Sequence, residues 1–291
     1  MVRVITIVCD NSKAWQPTDF SDMFHDMLWK CQEYSGDGCP YTKAWDFSKC
    51  LLDSGQKLPS KEDADAFIIS GSRHNVRDGP NLSWFEPLCS LIRDLEGQAG
   101  KSLIGVCFGS QIVAHALGGE VDKNPCDLGF ILLAETLHFT PALRTQLGQC
   151  CRTAVRKIGS EEGIAKLLVS HGDSCVKVPP HATLLASSGS CLNEMYTCGG
   201  NILCCQGHPE FELDYAISQR IWPAVVEKNR RLSEEKIEIA KASFVGYSQP
   251  FDTVIMLIVE FIASCSADAS AGHAITDGER ERKLVCGDRR F

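Results

Sequence analysis

Short apolar, β-branched runs alternate with stretches whose apolar residues recur every three or four positions through the first two thirds of the chain. "VRVITIV" (2–8) precedes a helical pattern in "FSDMFHDMLWKCQEY". "DAFIIS" (65–70) precedes "WFEPLCSLIRDLEG", where Phe85, Leu88, Leu91, Ile92 and Leu95 share one helix face. "KSLIGV" (101–106) precedes "GSQIVAHALGG", which stops at the pair Gly118–Gly119. This βαβα rhythm predicts an α/β fold with a mainly parallel sheet flanked by helices. Ligands in such sheets collect at the carboxyl ends of the strands, so chemistry is expected in the turns after residues 8, 70 and 106.

The second half reads as richer in strands: "LGFILLAETLHF", "ATLLASS", "NEMYTC" and "NILCCQ". Between them, "TPALRTQLGQCCRTAVRKIGSEEGIAKLL" has a helical pattern and looks inserted. A helix is expected from about residue 211, and 226–262 carries further helical pattern around the charged block "EKNRRLSEEKIE". After Ala263 the composition turns to Ser, Ala, Gly, Asp and Arg without periodicity. The expected organisation is therefore a principal domain over 1–225, a helical extension over 226–263 and a disordered tail over 264–291.

Composition narrows the function classes. The 29 basic and 37 acidic residues give a formal charge of −8 with no basic stripe, which argues against nucleic acid and anionic membrane as partners. The longest late apolar run, "VIMLIVEFIA", is about half a membrane span and contains Glu260, so a buried helix is expected. Sixteen cysteines without a CxxC pair disfavour a paired-thiolate zinc site, and the first ten residues read as a strand rather than a signal peptide. Most of these thiols are read as small buried side chains in a reducing, cytoplasmic setting, with no metal and no cofactor expected.

One cysteine stands apart. In "IGVCFGSQ" (104–111), Cys107 lies between Gly105 and Gly109 where a strand gives way to a helix. A Gly-x-nucleophile-x-Gly turn at such a junction is a nucleophile elbow: the turn is too tight for flanking side chains and projects the nucleophile beyond the sheet. The helix N-terminus favours a thiolate, and the N–H of Phe108 can donate to an oxyanion. The competing reading makes Cys107 a buried packing residue. Downstream, "NILCCQGHPEF" carries His208 and Glu210. Residues two apart on an extended segment face the same way, so His208 can act as base while Glu210 holds its tautomer. Alone, this pair could equally be a surface feature; with the elbow it suggests Cys107, His208 and Glu210 acting together.

The series "GVCFGSQ", "ALGG", "SHGD" (170–173) and "QGHPEF" (206–211) resembles the class I glutamine amidotransferases in order and spacing. The segments "FIISGS", "ATLLASS", "NEMY" and "CCQGHPEF" look most like the stand-alone branch that includes the plant γ-glutamyl peptidases. The resemblance spans about residues 1–225. It implies a flavodoxin-like α/β fold and cleavage of a γ-glutamyl C–N bond, in glutamine's side-chain amide or in a γ-glutamyl peptide, through a thioester on Cys107. It also implies a second oxyanion donor at Ser72 with Gly71 permitting the turn, and a pocket position for Gln111. Ser170, His171 and Asp173 would meet the α-amino and α-carboxylate end of the substrate. Ser110 departs from the family pattern, where histidine is frequent, which leaves the pocket wall or a partner contact in question.

Weaker signals surround these. Arg73, His74 and Arg77 follow the oxyanion turn, where an arginine could grip a substrate carboxylate or simply belong to a solvated loop. His171 is a rival base, His115 reads as packing, and Cys9, Cys204 and Cys205 read as inert. Three functions compete: a stand-alone hydrolase of γ-glutamyl peptides, a glutaminase subunit feeding ammonia to a separate synthetase, and a non-catalytic binding relative. No phosphate loop of the GxxxxGK[ST] type occurs in the chain.

Overall fold

The computed structural model describes residues 1–35, 45–125, 128–160 and 164–267. Its strands are β1 (Val2–Val8), β2 (Trp45–Leu51), β3 (Ala66–Ile69), β4 (Ser102–Val106), β5 (Glu120–Lys123) and β6 (Ile131–Thr136). They continue with β7 (His138–Phe139), β8 (Lys166–His171), β9 (Asp173–Lys177), β10 (Thr183–Ser187), β11 (Met195–Cys198) and β12 (Ile202–Cys205). The helices are α1 (Phe20–Ser35), α2 (Phe85–Leu95), α3 (Phe108–Ala116), α4 (Ala142–Leu147) and α5 (Arg152–Ile158). Then come α6 (Leu213–Ile221, continued by Pro223–Lys228), α7 (Glu234–Phe244) and α8 (residues 251–267).

Eight strands form one sheet in the order β2-β1-β3-β4-β12-β11-β10-β7. β2, β1, β3, β4 and β12 run parallel, and β11, β10 and β7 extend the sheet antiparallel. The mainly parallel α/β architecture expected from the sequence is therefore present. Two small antiparallel pairs, β5 with β9 and β6 with β8, stand beside it.

Alternation along the central strands splits the core into two layers. Ile68, Ile104 and Leu203 face one layer, which they share with Phe24 and Leu28 of α1 and with Val254, Leu257, Ile258 and Phe261 of α8. Phe67, Ile69, Leu103 and Ile202 face the other, with Leu88 and Ile92 of α2 and Ile112 and Val113 of α3. β3, β4 and β12 are buried throughout, which is why they appear in the sequence as unbroken apolar runs. "VIMLIVEFIA" is a buried helix segment, as its length and Glu260 predicted. Among the described residues no helix is long and apolar enough to cross a membrane.

Some expectations change. β2, unassigned from sequence, is an edge strand whose half-polar pattern hides its pairing with β1. The inserted segment holds α4 and α5, but its last residues, "KLL", begin β8 rather than extending a helix. The helix expected from about 211 starts at Leu213 and winds with the wider π repeat. Residues 264–267, assigned to the tail, continue α8, and the rest of that tail (268–291) lies outside the described residues.

Candidate active site

The turn from β4 into α3 is built as the glycine spacing predicts. A Cβ on Gly109 would stand 2.1 Å from the Ile69 carbonyl oxygen, and one on Gly105 would stand 2.8 Å from the Gly109 carbonyl oxygen. Neither position tolerates a side chain. Cys107 between them sits at φ 53 and ψ −108, a region non-glycine residues rarely occupy. Its N–H donates to the Cys205 carbonyl at 2.9 Å, so the strained residue is anchored to the end of β12. Its carbonyl accepts from the Gln111 N–H at 3.1 Å and from the Ser110 hydroxyl at 2.8 Å. Ser110 thus points inward, 1% exposed, and the pocket wall does not depend on it.

His208 follows β12 and reaches the same place. Its backbone N–H donates to the Leu168 carbonyl at 2.8 Å, which fixes the segment against β8. Its Nδ1 lies 2.7 Å from Glu210 Oε1, and its ring stacks on Phe211 with centroids 3.8 Å apart. Gly71 measures how closely the groups converge: a Cβ there would stand 2.7 Å from His208 Cε1 and 3.6 Å from Cys107 Cβ. His208 is 3% exposed, Glu210 2% and Cys107 5%. Burial by itself opposes a charge on His208. The Glu210 carboxylate, followed by the charge and hydrogen bond of Cys107, more than offsets that cost and raises the imidazole to about 10.

The loop after β3 closes the site from above. The Ser72 hydroxyl donates to the Cys9 carbonyl at 2.9 Å and accepts from the His74 N–H at 3.1 Å, holding residues 71–74 in place over Cys107. Phe108, as the first residue of α3, carries an N–H with no partner inside the helix. Ser72 and Cys107 line one cavity of about 690 Å³ together with Gln111, Ser170, His171, Asp173 and His208. The other sequence-derived residues adjoin that cavity: Gly71 lies against Cys107 and His208, Phe108 follows Cys107 in the turn, and Glu210 holds Nδ1 of His208.

Their partners refine several roles. Gln111 Nε2 donates to the Asp173 carbonyl at 2.8 Å and lies 3.1 Å from Gln206 Oε1, which locks its amide. Burial lowers the His171 pKa to about 4, so its ring is neutral, and Nδ1 sits 3.1 Å from the Asp173 carbonyl while buried Nε2 has no partner. Held by the Asp173 carbonyl and the Asn124 amide, His171 lacks the carboxylate partner that His208 has in Glu210, and so is the weaker rival for the base. Arg77 clamps the Asp173 carboxylate through two nitrogens at 3.0 to 3.3 Å. Asp173 is therefore already paired, and Arg77 is not a free anion grip. Arg73 lies 3.6 Å from Asp10. Cys9, Cys204 and Cys205 are sealed in the core with thiols pushed up by burial, as expected of inert residues, and His115 packs on Phe85.

The remaining wall was not assigned from sequence. Trp15 and Phe20 pack at tilted ring angles against Phe211, and Phe130, Arg220 and Arg231 line the same cavity. Arg220 lies over the Tyr215 ring and Arg231 over the Phe130 ring, at 4.9 and 5.3 Å. No short motif marks these positions: Trp15 and Phe20 follow β1, Phe130 directly precedes β6, and Arg220 and Arg231 reach the cavity from α6 and the residues after it. Glu194, in "NEMY", is a further surprise: it accepts the Gly207 N–H at 2.7 Å next to His208, and burial raises its carboxyl to about 7.

The chain is similar to known proteins. The model of the family "Glutamine amidotransferase class-I" matches residues 45–216. Gamma-glutamyl peptidase 3 of Arabidopsis thaliana is 30% identical over 215 residues, covering 71% of this chain and 77% of the relative. Gamma-glutamyl peptidase 4 of the same plant is 31% identical over 175 residues, covering 58% and 63%. Among solved structures, a glutamine amidotransferase from Thermotoga maritima superposes with a TM-score of 0.65 at 16% identity, over 90% of this chain and 98% of that one. With the elbow, the sheet order and a family match over more than half its length, this chain belongs to the class I glutamine amidotransferase family.

Proposed function

We propose that this protein is a cysteine hydrolase that cleaves the γ-glutamyl C–N bond of small γ-glutamyl peptides. The observation that carries this reading is the strained Cys107 facing His208 across Gly71, with Glu210 hydrogen-bonded to the far side of the imidazole. In the first half-reaction His208 takes the Cys107 proton and the thiolate attacks the γ-carbonyl carbon. The N–H groups of Phe108 and Ser72 receive the oxyanion. His208 returns the proton to the leaving nitrogen, the C–N bond breaks, and a γ-glutamyl thioester remains on Cys107. Water, deprotonated by His208, then attacks the thioester, and glutamate leaves as the thiol is restored. Glu210 stabilises the imidazolium that forms twice in this cycle.

Peptides rather than glutamine fit the cavity better. At about 690 Å³ it lies within the range that encloses whole small-molecule ligands. Gln111, Ser170, His171 and Asp173 would hold the glutamate end, whose paired charges need matched partners once desolvated. Arg220 and Arg231, which have no acidic partner among the described residues, face the space left for the amine-bearing fragment and favour one that carries a carboxylate. The names of the Arabidopsis relatives point the same way.

The test is glutamate release, followed by mass spectrometry, from glutamine, γ-glutamyl dipeptides and a γ-glutamyl tripeptide. Release from the peptides is expected to exceed release from glutamine and to disappear in Cys107→Ala. Turnover that survives this substitution unchanged would end the reading, and preference for glutamine would shift it to a glutaminase.

A further inference from the structure

The family match stops at residue 216, yet the chain beyond it folds back onto the residues around His208. The turn at Gly246 ends α7 and sends residues 247–250 across the base of the site. There Gln249 Nε2 donates to the carbonyls of Pro209, at 3.3 Å, and Phe211, at 3.1 Å. These two carbonyls flank Glu210, so the extension grips its backbone on both sides. On the opposite side β8 holds His208 through the Leu168 carbonyl.

Two polar atoms in this region are buried without a hydrogen-bond partner: the second carboxylate oxygen of Glu210 and the hydroxyl of Tyr247. They are chemically complementary, since an ionised carboxylate only accepts and a phenol carries one donor. Gln249, two residues beyond Tyr247, is bonded to the carbonyls on either side of Glu210, which brings the two groups into the same region. Burial and then the Glu210 charge raise the Tyr247 phenol well above its ordinary value, and its hydroxyl lies beside the Leu168 backbone that holds His208. Hydrogen bonds in resting sites are commonly long and tighten as the reaction proceeds.

We propose that Tyr247 is a positioning residue whose hydroxyl hydrogen-bonds the free oxygen of Glu210 in the working enzyme, so that the 247–249 segment forms the rear wall of the reacting pair. The proposal rests on the reading of Cys107 and His208 as that pair. Tyr247 touches no substrate. It keeps Glu210 aligned, and Glu210 keeps the His208 imidazole oriented toward Cys107 and its pKa raised. The helical extension thereby becomes part of the site rather than an appendage to it.

The test compares wild type, Tyr247→Phe, Glu210→Gln and the double variant. The first readout is the alkylation rate of Cys107 by iodoacetamide, followed by mass of the Cys107 peptide, which needs no substrate. The second is kcat and KM for γ-glutamyl peptide hydrolysis. Loss of one hydrogen bond to a charged group predicts alkylation and kcat about tenfold slower in Tyr247→Phe, with KM within about twofold. In the Glu210→Gln background the same substitution is expected to add nothing. Gln249→Leu, which frees the Pro209 and Phe211 carbonyls, is expected to slow alkylation as well and serves should Tyr247→Phe fold poorly. Wild-type alkylation in Tyr247→Phe, or an effect undiminished without the Glu210 charge, overturns the proposal. An alkylation effect that depends on Glu210 in a protein that hydrolyses no γ-glutamyl compound supports the positioning role and refutes the substrate reading alone.

Discussion

Replacing Gly71 by alanine adds one methyl group where the structure leaves least room for it. That carbon would stand 2.7 Å from His208 Cε1. Carbon atoms settle at about 3.5–4.0 Å, so the imidazole must retreat by about 1 Å. It has little freedom to do so, being held to Glu210 at 2.7 Å, stacked on Phe211 at 3.8 Å and tied through its backbone to Leu168. The same methyl meets Cys107 Cβ at 3.6 Å, an ordinary contact, so the strain falls on the base and spares the nucleophile. A misplacement of about 1 Å in a reacting group costs about 10²-fold in rate. Overpacking of this kind destabilises a fold by about 1–3 kcal/mol. Gly71→Ala is therefore expected to hydrolyse γ-glutamyl peptides about a hundredfold more slowly than wild type, while urea unfolding shows a fold that is weakened and intact. A variant within about threefold of the wild-type rate would refute the claim that His208 works from its place beneath this turn.

Two other outcomes follow from the same geometry. Arg77→Ala removes the clamp on Asp173 and is expected to raise KM more than it lowers kcat. Its stability cost should be about 1–2 kcal/mol, limited by the half-exposed position of Arg77, and an unchanged KM in steady-state kinetics would count against Asp173 as a substrate contact. The folded pKa of His208 is raised to about 10 from an unfolded value of about 6.5, so protonation favours the folded state. The stability it contributes is complete below about pH 6.5 and is lost as the pH climbs toward about 10. In urea titrations the advantage of wild type over His208→Gln should shrink across that window; a constant or growing advantage contradicts the assignment.

Much of this was legible because the informative residues lie close together in sequence. The strands β1, β3 and β4 announce themselves as apolar runs, and Gly105 and Gly109 frame Cys107 within five residues, so a local pattern encodes a local turn. His208 and Glu210 likewise share one extended segment. What escaped depends on distance along the chain. β2 carries a half-polar edge pattern that only its pairing with β1 explains. Asp173 looked free to meet a substrate because nothing in "SHGD" reveals that Arg77, from another loop, already holds it. Arg220, Arg231, Tyr247 and Gln249 enter the site through the packing of α6 and the turn after α7, and no periodicity or spacing encodes that return.

The anchoring of Cys107 to Cys205 has a wider consequence. β4 and β12 are adjacent parallel strands, so sulfur and imidazole issue from neighbouring rails whose separation, about 4.8 Å, is fixed by the peptide ladder itself. The vestibule beyond them is assembled from loops, from β8 and β9 outside the main sheet and from α6, none of which sets that gauge. Such a division lets appetite for different amines drift by remodelling the periphery while the bond-breaking machinery stays in tune.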